Sequence, residues 1–232
     1  MKEIHNRKEF EQYIQFYNLE SIFNPQLIPH MSFYRFKQGE LIASQGDTSQ
    51  YLYVLVKGKV KIFTTTAEGK ALILSFKTPL ELIGDIEYVQ GIDFINTVEA
   101  VSDVDMLGIH QQWLKKFGRE DASFLNFLLE IITQKFCVKS NSLSFNLLYP
   151  VEVRLASYLL SISDDESDIQ LNGQLSALSL KDTANLIGTS YRHLNRVIQS
   201  FDEKGLVERK KGYLLVKDRE GLREIAGHNI YE

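Results

Sequence analysis

Hydrophobic positions change their spacing several times along this 232-residue chain, and each spacing predicts a different kind of element. Near the start, Phe10, Tyr13, Ile14, Phe16 and Tyr17 recur at close to helical spacing, which predicts a short helix packed on the next part of the chain. From about Met31 to Ile109 the pattern is that of short strands. Val54, Val56, Val60, Ile62 and Phe63 lie on β-rich runs broken at Gly58, and Ala67-Glu68-Gly69 separates two such runs as a hairpin turn does. Many short strands with frequent turns predict a small barrel or jelly-roll. From Ser123 to Tyr149 there is neither Gly nor Pro, and Leu129, Ile132, Phe136, Leu143 and Leu147 recur at intervals of three, four or seven. That predicts one long amphipathic helix of about 27 residues, about 40 Å at 1.5 Å per residue. A narrow apolar seam of that length exceeds what a small roll covers, so it is read as a helix–helix dimer seam, the alternative being a core helix of a single domain. Pro150 lacks the N–H for an i−4 bond and disfavours helical geometry at Tyr149, so it ends the helix. A second helix is predicted over Val151 to Ile162, with Leu155, Leu159 and Leu160 on its buried side.

Composition narrows the picture by exclusion. At 44% hydrophobic the chain is that of a folded protein, and no run approaches the roughly 18 uncharged apolar residues of a spanning helix. Met1 to Phe10 is charged and polar rather than signal-like, so a cytoplasmic protein without membrane association is expected. One cysteine, Cys137, rules out an intramolecular disulfide, a four-cysteine cluster or a zinc ribbon within one chain. The acidic stretch Asp164-Asp165-Glu166-Ser167-Asp168 lacks the Gly and distal Glu of an EF-hand loop and reads as solvated. No metal and no cofactor are expected. His5, His30, His110, His193 and His228 have no metal-ligand spacing, and there is no phosphate-binding loop and no Gly-x-Ser-x-Gly, so the chain is not read as an enzyme. A redox role for Cys137 is the rarer reading beside a structural one.

Charge is distributed unevenly. The net charge is −4, yet Lys181, Arg192, Arg196, Lys204, Arg209, Lys210, Lys211 and Lys217 face only Asp182, Asp202, Glu203 and Glu208 between Ser176 and Lys217. A basic segment in an acidic chain is the footprint of one module that touches phosphates. Within it, Ser179 to Ile198 has the spacing of a helix-turn-helix: Ala184 is small where two helices cross, Gly188 supplies the turn, and Leu180, Ile187, Leu194 and Val197 bury the inner faces. Thr189 or Ser190 caps the second helix, whose outer face carries Tyr191, Arg192, His193, Asn195, Arg196 and Gln199. Arg and Asn are the side chains that make paired hydrogen bonds to guanine and adenine edges in a major groove. Phe201 to Leu206 closes the unit, and Val207 to Val216 reads as a β-hairpin with Arg209, Lys210 and Lys211 at its tip, a wing suited to the sugar-phosphate backbone.

Taken whole, the chain resembles the CRP/FNR family of transcription regulators. Phe36-x-x-Gly39-Glu40-x-Ile42-x-x-Gln45-Gly46-Asp47, followed by Tyr51-Leu52-Tyr53-Val54-Leu55-Val56-x-Gly58-x-Val60-Lys61, resembles the first half of that family's cyclic-nucleotide-binding-type roll, and the order of elements matches from about residue 10 to 220. The resemblance implies an α+β chain: a β-roll sensor with its N-terminal helix over residues 1–119, a dimerisation helix over 120–149 and a winged helix-turn-helix over 150–232. It further implies a homodimer on a pseudo-palindromic site in double-stranded DNA, and RNA polymerase as a partner.

Two departures from the family qualify this. Relatives that bind cAMP carry a Gly-Glu-Leu turn whose Glu holds the ribose, and an Arg-Ser or Arg-Thr that clamps the cyclic phosphate. Here the turn is Gly84-Asp85-Ile86 and Phe94-Ile95 stands at the clamp. No Lys or Arg occurs between Lys77 and Lys115, while seven acidic residues do, so a phosphate entering that segment is expected to meet no guanidinium and a negative field. A response to cAMP through the usual pocket is therefore not expected. Either the roll holds an uncharged, non-nucleotide small-molecule effector against Ile83, Gly84, Asp85, Ile86 and Phe94, or it is a ligand-free scaffold. In the recognition helix, familiar relatives place a Glu where Arg192 stands and an Arg where Arg196 stands, so the half-site is expected to differ. The rival function, a β-roll that senses a ligand or docks a protein with no DNA role, is opposed by the basic wing. Neither the operator nor the choice between activator and repressor is legible.

Overall fold

A computed structural model describes residues 2–69, 71–164, 174–176, 180–210 and 213–227. Two compact units divide inside the long helix, at Met1–Lys135 and Phe136–Glu232. The first is the roll. Strand β1 (Lys2–Glu3), helix α1 (Arg7–Phe16) and two short 3-10 turns precede β2 (Met31–Phe36), β3 (Leu41–Ala43), β4 (Tyr51–Lys57), β5 (Val60–Thr65), β6 (Ala71–Lys77) and β7 (Glu81–Ile83). Helix α2 (Asp85–Gln90), β8 (Thr97–Ala100), β9 (Val104–His110) and α3 (Gln111–Phe117) complete it before α4 (Ala122–Leu148) begins. The strands form an antiparallel sheet in the order β1-β2-β9-β4-β7 and a second in the order β3-β8-β5-β6.

Side-chain parity explains why two apolar clusters form. Along β4, Leu52, Val54 and Val56 point to one face and Tyr53 and Leu55 to the other, as strand geometry requires. The same alternation separates Met31 and Phe33 from Tyr34 and Phe36 on β2, and Leu107 and Ile109 from Val104 and Met106 on β9. The outer face buries Ile14 of α1 and Phe124 and Leu128 of α4, while the inner face closes on Ile42, Ile83, Phe94 and Val98 from inside the roll. A strand buried on both faces needs a continuous apolar run, and Tyr51-Leu52-Tyr53-Val54-Leu55-Val56 is one.

Polar contacts fix α1 on the sheet. Asn6 caps it, its side chain accepting from the Glu9 N–H. The Tyr13 hydroxyl donates to Asp105 Oδ2 at 2.8 Å, and Arg35 donates from Nε and Nη2 to the two oxygens of the same carboxylate at 2.6 and 2.9 Å. Asp105 is buried, yet two-point pairing with a guanidinium satisfies both of its oxygens. Desolvation pushes its carboxyl up, but the bonds from Arg35 and Tyr13 outweigh that and hold it below the usual aspartate range. Burial, with the Asp105 contact, pushes the Tyr13 hydroxyl up.

The second unit contains the C-terminal part of α4, then α5 (Val151–Asp164), β10 (Gln174–Ser176), α6 (Leu180–Leu186), α7 (Tyr191–Glu203), β11 (Val207–Lys210), β12 (Tyr213–Val216) and α8 (Arg219–Ala226). Its strands order as β10-β12-β11. One cluster centred on Leu155, Leu159, Ala184, Leu194, Ile198, Phe201 and Leu222 holds the helices together. Helix α4 runs 27 residues and stops before Pro150. Residues 165–168 of the acidic stretch lie outside the described residues. Among the described residues no helix is long and apolar enough to cross a membrane, and no three His, Cys, Asp or Glu side chains are grouped to hold a metal.

Candidate nucleic-acid interface

The turn between α6 and α7 is built by backbone chemistry. Gly188 has φ +66, a left-handed conformation that a side chain disfavours, and a Cβ there would lie 3.2 Å from Arg154 Nη1. The Thr189 N–H returns to Ala184 O at 2.8 Å, closing the end of α6. Ser190 then takes an extended conformation and its hydroxyl accepts from the His193 N–H at 3.2 Å, so Ser190 rather than Thr189 caps α7. The small residue expected at the helix crossing, Ala184, is buried, with Leu180, Ile187, Leu194 and Val197 around it.

Two donors from outside the motif complete the turn. Arg154 on α5 is buried and donates from Nη1 to Ile187 O and, at 3.2 Å, to Gly188 O. Asn146, near the end of α4, donates from Nδ2 to Leu186 O at 3.4 Å. Carbonyls at a helix C-terminus lack intrahelical partners, and a cation or amide there satisfies them while complementing the negative end of the helix dipole. Neither residue was among the sequence-based candidates. The signal for Arg154 was an isolated charge on the same side of α5 as Val151 and Leu155.

The outer face of α7 is polar. Tyr191, Arg192, Arg196 and Gln199 are exposed, whereas His193, Asn195 and Thr189 are half-buried. Among the described residues Arg192 and Arg196 form no ion pair, while Gln199 Nε2 donates to Glu203 Oε1 at 3.1 Å. Asn195 is bonded at both ends of its amide: its Nδ2 donates to Tyr191 O at 2.9 Å and its Oδ1 accepts from Arg209 Nη2 at 3.1 Å. The wing forms as a hairpin in which Arg209 pairs with Leu214 and Lys210 with Tyr213. Arg209 and Lys210 are exposed, and Lys211 lies outside the described residues. The wing is less positive than its lysines and arginine imply, because Glu208 sits 3.5 Å from Lys210 and 3.3 Å from Lys217. Hydrogen bonding from Lys217, with Lys210 beside it, holds the Glu208 carboxyl below its usual range.

At the sensor end Ile83, Gly84 and Phe94 of the five expected pocket residues lie together as packing. Ile83 and Phe94 are buried in the inner cluster of the roll, and the Phe94 ring lies 3.6 Å from where a Cβ on Gly84 would stand. Asp85 is buried and Ile86 half-buried at the start of α2. The negative field expected from the sequence is answered from outside the segment. Lys135 of α4 places Nζ 2.9 Å from both oxygens of Asp85, 2.7 Å from Leu82 O and 3.2 Å from Glu81, while Lys77 lies 2.7 Å from Glu81. Asp85 is thus paired with a lysine of this chain.

On α4, Leu129, Phe136, Leu143 and Leu147 are 61–75% exposed and Ile132 is half-buried, leaving an apolar seam on the surface of a single chain.

Comparison with known proteins matches both halves. Residues 33–121 fit the family model of the cyclic nucleotide-binding domain, and residues 153–225 that of the Crp-like helix-turn-helix domain. The chain is 27% identical over 194 residues to the regulatory protein YeiL of Escherichia coli O157:H7, covering 83% of this chain and 84% of that protein. It is 28% identical over 193 residues to the cyclic AMP receptor protein of Thermus thermophilus, covering 82% and 86%. A crystal structure of a CRP/FNR-family protein from Eubacterium rectale shares the fold with a TM-score of 0.78 at 19% identity, covering 93% of this chain and 99% of that one.

Proposed function

Because this chain belongs to the CRP/FNR family of DNA-binding transcription regulators, we propose that it acts in the cytoplasm as a homodimer on a pseudo-palindromic operator, with one α7 in each of two successive major grooves. In this reading residues 1–119 are the sensor roll, 120–149 the dimerising helix and 150–232 the DNA-binding domain, and RNA polymerase is the partner at the promoter. The observation that carries it is the outer face of α7, where Arg192 and Arg196 stand exposed and, among the described residues, without an ion pair, on a capped helix whose other side is packed. Each guanidinium can donate twice to the O6 and N7 of a guanine. The exposure of Leu129, Phe136, Leu143 and Leu147 at helical spacing along α4 supports the homodimer, since a helix–helix seam would cover them.

The roll works without cyclic nucleotide in the family's manner. Support comes from Phe94 where a phosphate-clamping arginine is expected, and from Asp85, whose carboxylate is held by Lys135. Any effector is an uncharged, apolar small molecule bound against Ile83, Ile86 and Phe94; without one the roll is a scaffold.

Footprinting on the protein's own upstream region, followed by anisotropy titration of the protected duplex, tests both parts. Arg192→Ala and Arg196→Ala each cost ~1–3 kcal/mol there and relax the preference at one base pair, whereas Lys210→Ala weakens all sequences alike. Absence of binding even at low salt, or uniform losses for all three variants, overturns the assignment. Calorimetry that finds micromolar cAMP binding, abolished by Phe94→Asp, overturns the reading of the roll.

A further inference from the structure

Asn195 has the residue type of an adenine reader, but its geometry assigns it elsewhere. Reading adenine requires the amide oxygen and nitrogen together, one accepting and one donating. Here each end already has a partner within the protein, Nδ2 donating to Tyr191 O and Oδ1 accepting from Arg209 Nη2, so the fold sets the direction of the amide and one N–H and one lone pair are left over. The orientation of the amide follows from its partners, since a guanidinium only donates and a carbonyl only accepts. Asn195 is also half-buried, unlike Arg192 and Arg196.

Arg209 is tied to α7 a second time. Its backbone N–H donates to Asp202 Oδ1 at 3.2 Å, two helical turns beyond Asn195 and on the same face. Asn195 and Asp202 therefore mark the flank of α7 that meets β11, beside the face that carries Arg192 and Arg196. When that outer face enters a major groove, the flank lies toward the groove wall, which is sugar and phosphate. Four of the five N–H donors of the guanidinium remain for that wall after one bonds Asn195. A planar fork held at a fixed angle suits the paired oxygens of a phosphate.

We infer that Asn195 is a positioning residue that orients the wing's Arg209 onto a backbone phosphate beside the recognition helix, and that it does not read a base. The inference rests on the DNA-binding reading above.

The test uses the full-length protein and a pool of randomised DNA duplexes. Duplexes enriched by the unmodified protein define a consensus, and affinities for it and for its single-base variants are measured by anisotropy across a salt series. Arg209→Ala is expected to weaken binding about tenfold on every duplex, and to make the slope of log K against log salt shallower by about 0.9, the value of one phosphate contact. Asn195→Ala, which keeps a strong helix former in α7, gives the same signature at smaller size, and in the Arg209→Ala background it changes affinity less than about twofold, as coupled residues do. The inference is overturned if Asn195→Ala shifts the preference at one base position with an unchanged salt slope, if it has no effect, or if it costs the same in both backgrounds. Failure of the unmodified protein to enrich any duplex is a different result, and it removes the DNA-binding reading itself.

Discussion

Replacing Lys135 by Met isolates the charge on α4 while keeping most of the aliphatic stem. In the native chain the Lys135 ammonium contacts both oxygens of Asp85, one oxygen of Glu81 and the Leu82 carbonyl, and its side chain is 16% exposed against 4% for Asp85. Glu81 retains Lys77 after the substitution, but Asp85 becomes a buried carboxylate without its cation. Breaking a buried pair from one side costs about 3–5 kcal/mol, because the remaining charge stays desolvated. For a unit of 135 residues, 3 kcal/mol corresponds to a fall of about 10 °C in the melting temperature. Trp113 in α3 is the only tryptophan, so its fluorescence reports unfolding of the roll specifically. Lys135→Met should lower the urea midpoint of that signal, and adding Asp85→Asn should recover much of the loss by removing the orphaned charge. A loss below about 1 kcal/mol, the range of solvent-screened surface pairs, would refute the reasoning, as would a double variant no more stable than Lys135→Met.

Asp105→Asn tests the clasp on α1 through pH. The Asp105 carboxyl is held below its unfolded value, so its contribution is complete above about pH 4 and is lost as pH falls through the folded pKa; acid titration of stability should therefore be less steep below pH 4 in the variant than in the native chain. Ser190→Ala removes the cap of α7 and should cost about 1 kcal/mol in thermal unfolding of the second unit. Leu143→Glu puts a charge into the exposed seam of α4; on the proposed dimer reading, sedimentation is expected to give a dimer for the native chain and a monomer for the variant, with little change in the roll's melting.

Much of this architecture was legible because it depends on periodicity. The long helix and the buried side of α5 at Leu155, Leu159 and Leu160 follow from spacing, and the helix end before Pro150 and the hairpin around Ala67-Glu68-Gly69 from local proline and turn chemistry. Helix α8 was not legible, although Asp218 caps it by accepting from the Gly221 N–H, because eight residues give too short a pattern beside the wing. Strand β10 has three residues and pairs with β12, a partner nearly forty residues away. The same limit governs the sites. Thr189 to Gln199 could be placed from local spacing, but the contact that Asn195 makes with Arg209, fourteen residues on, has no local signal. The acidic composition of residues 78–114 is visible in the sequence, but the cation that pairs with Asp85, Lys135, lies outside that segment and fifty positions away. Ion pairs between distant segments carry no periodic signal.

The two donors that reach the turn of the helix-turn-helix bear on how the protein could be cut or recombined. Asn146 precedes Pro150, so the hairpin that carries α7 takes one of its supports from the helix before the proline. A graft of this reading head onto another sensor would keep Arg154 but lose Asn146 if the junction were set at the proline. Junctions placed near Phe136, where the second compact unit begins, would transplant the head with its own brace. The portable piece of this regulator is thus longer than its DNA-binding motif and includes a dozen or so residues of the helix that leads into it.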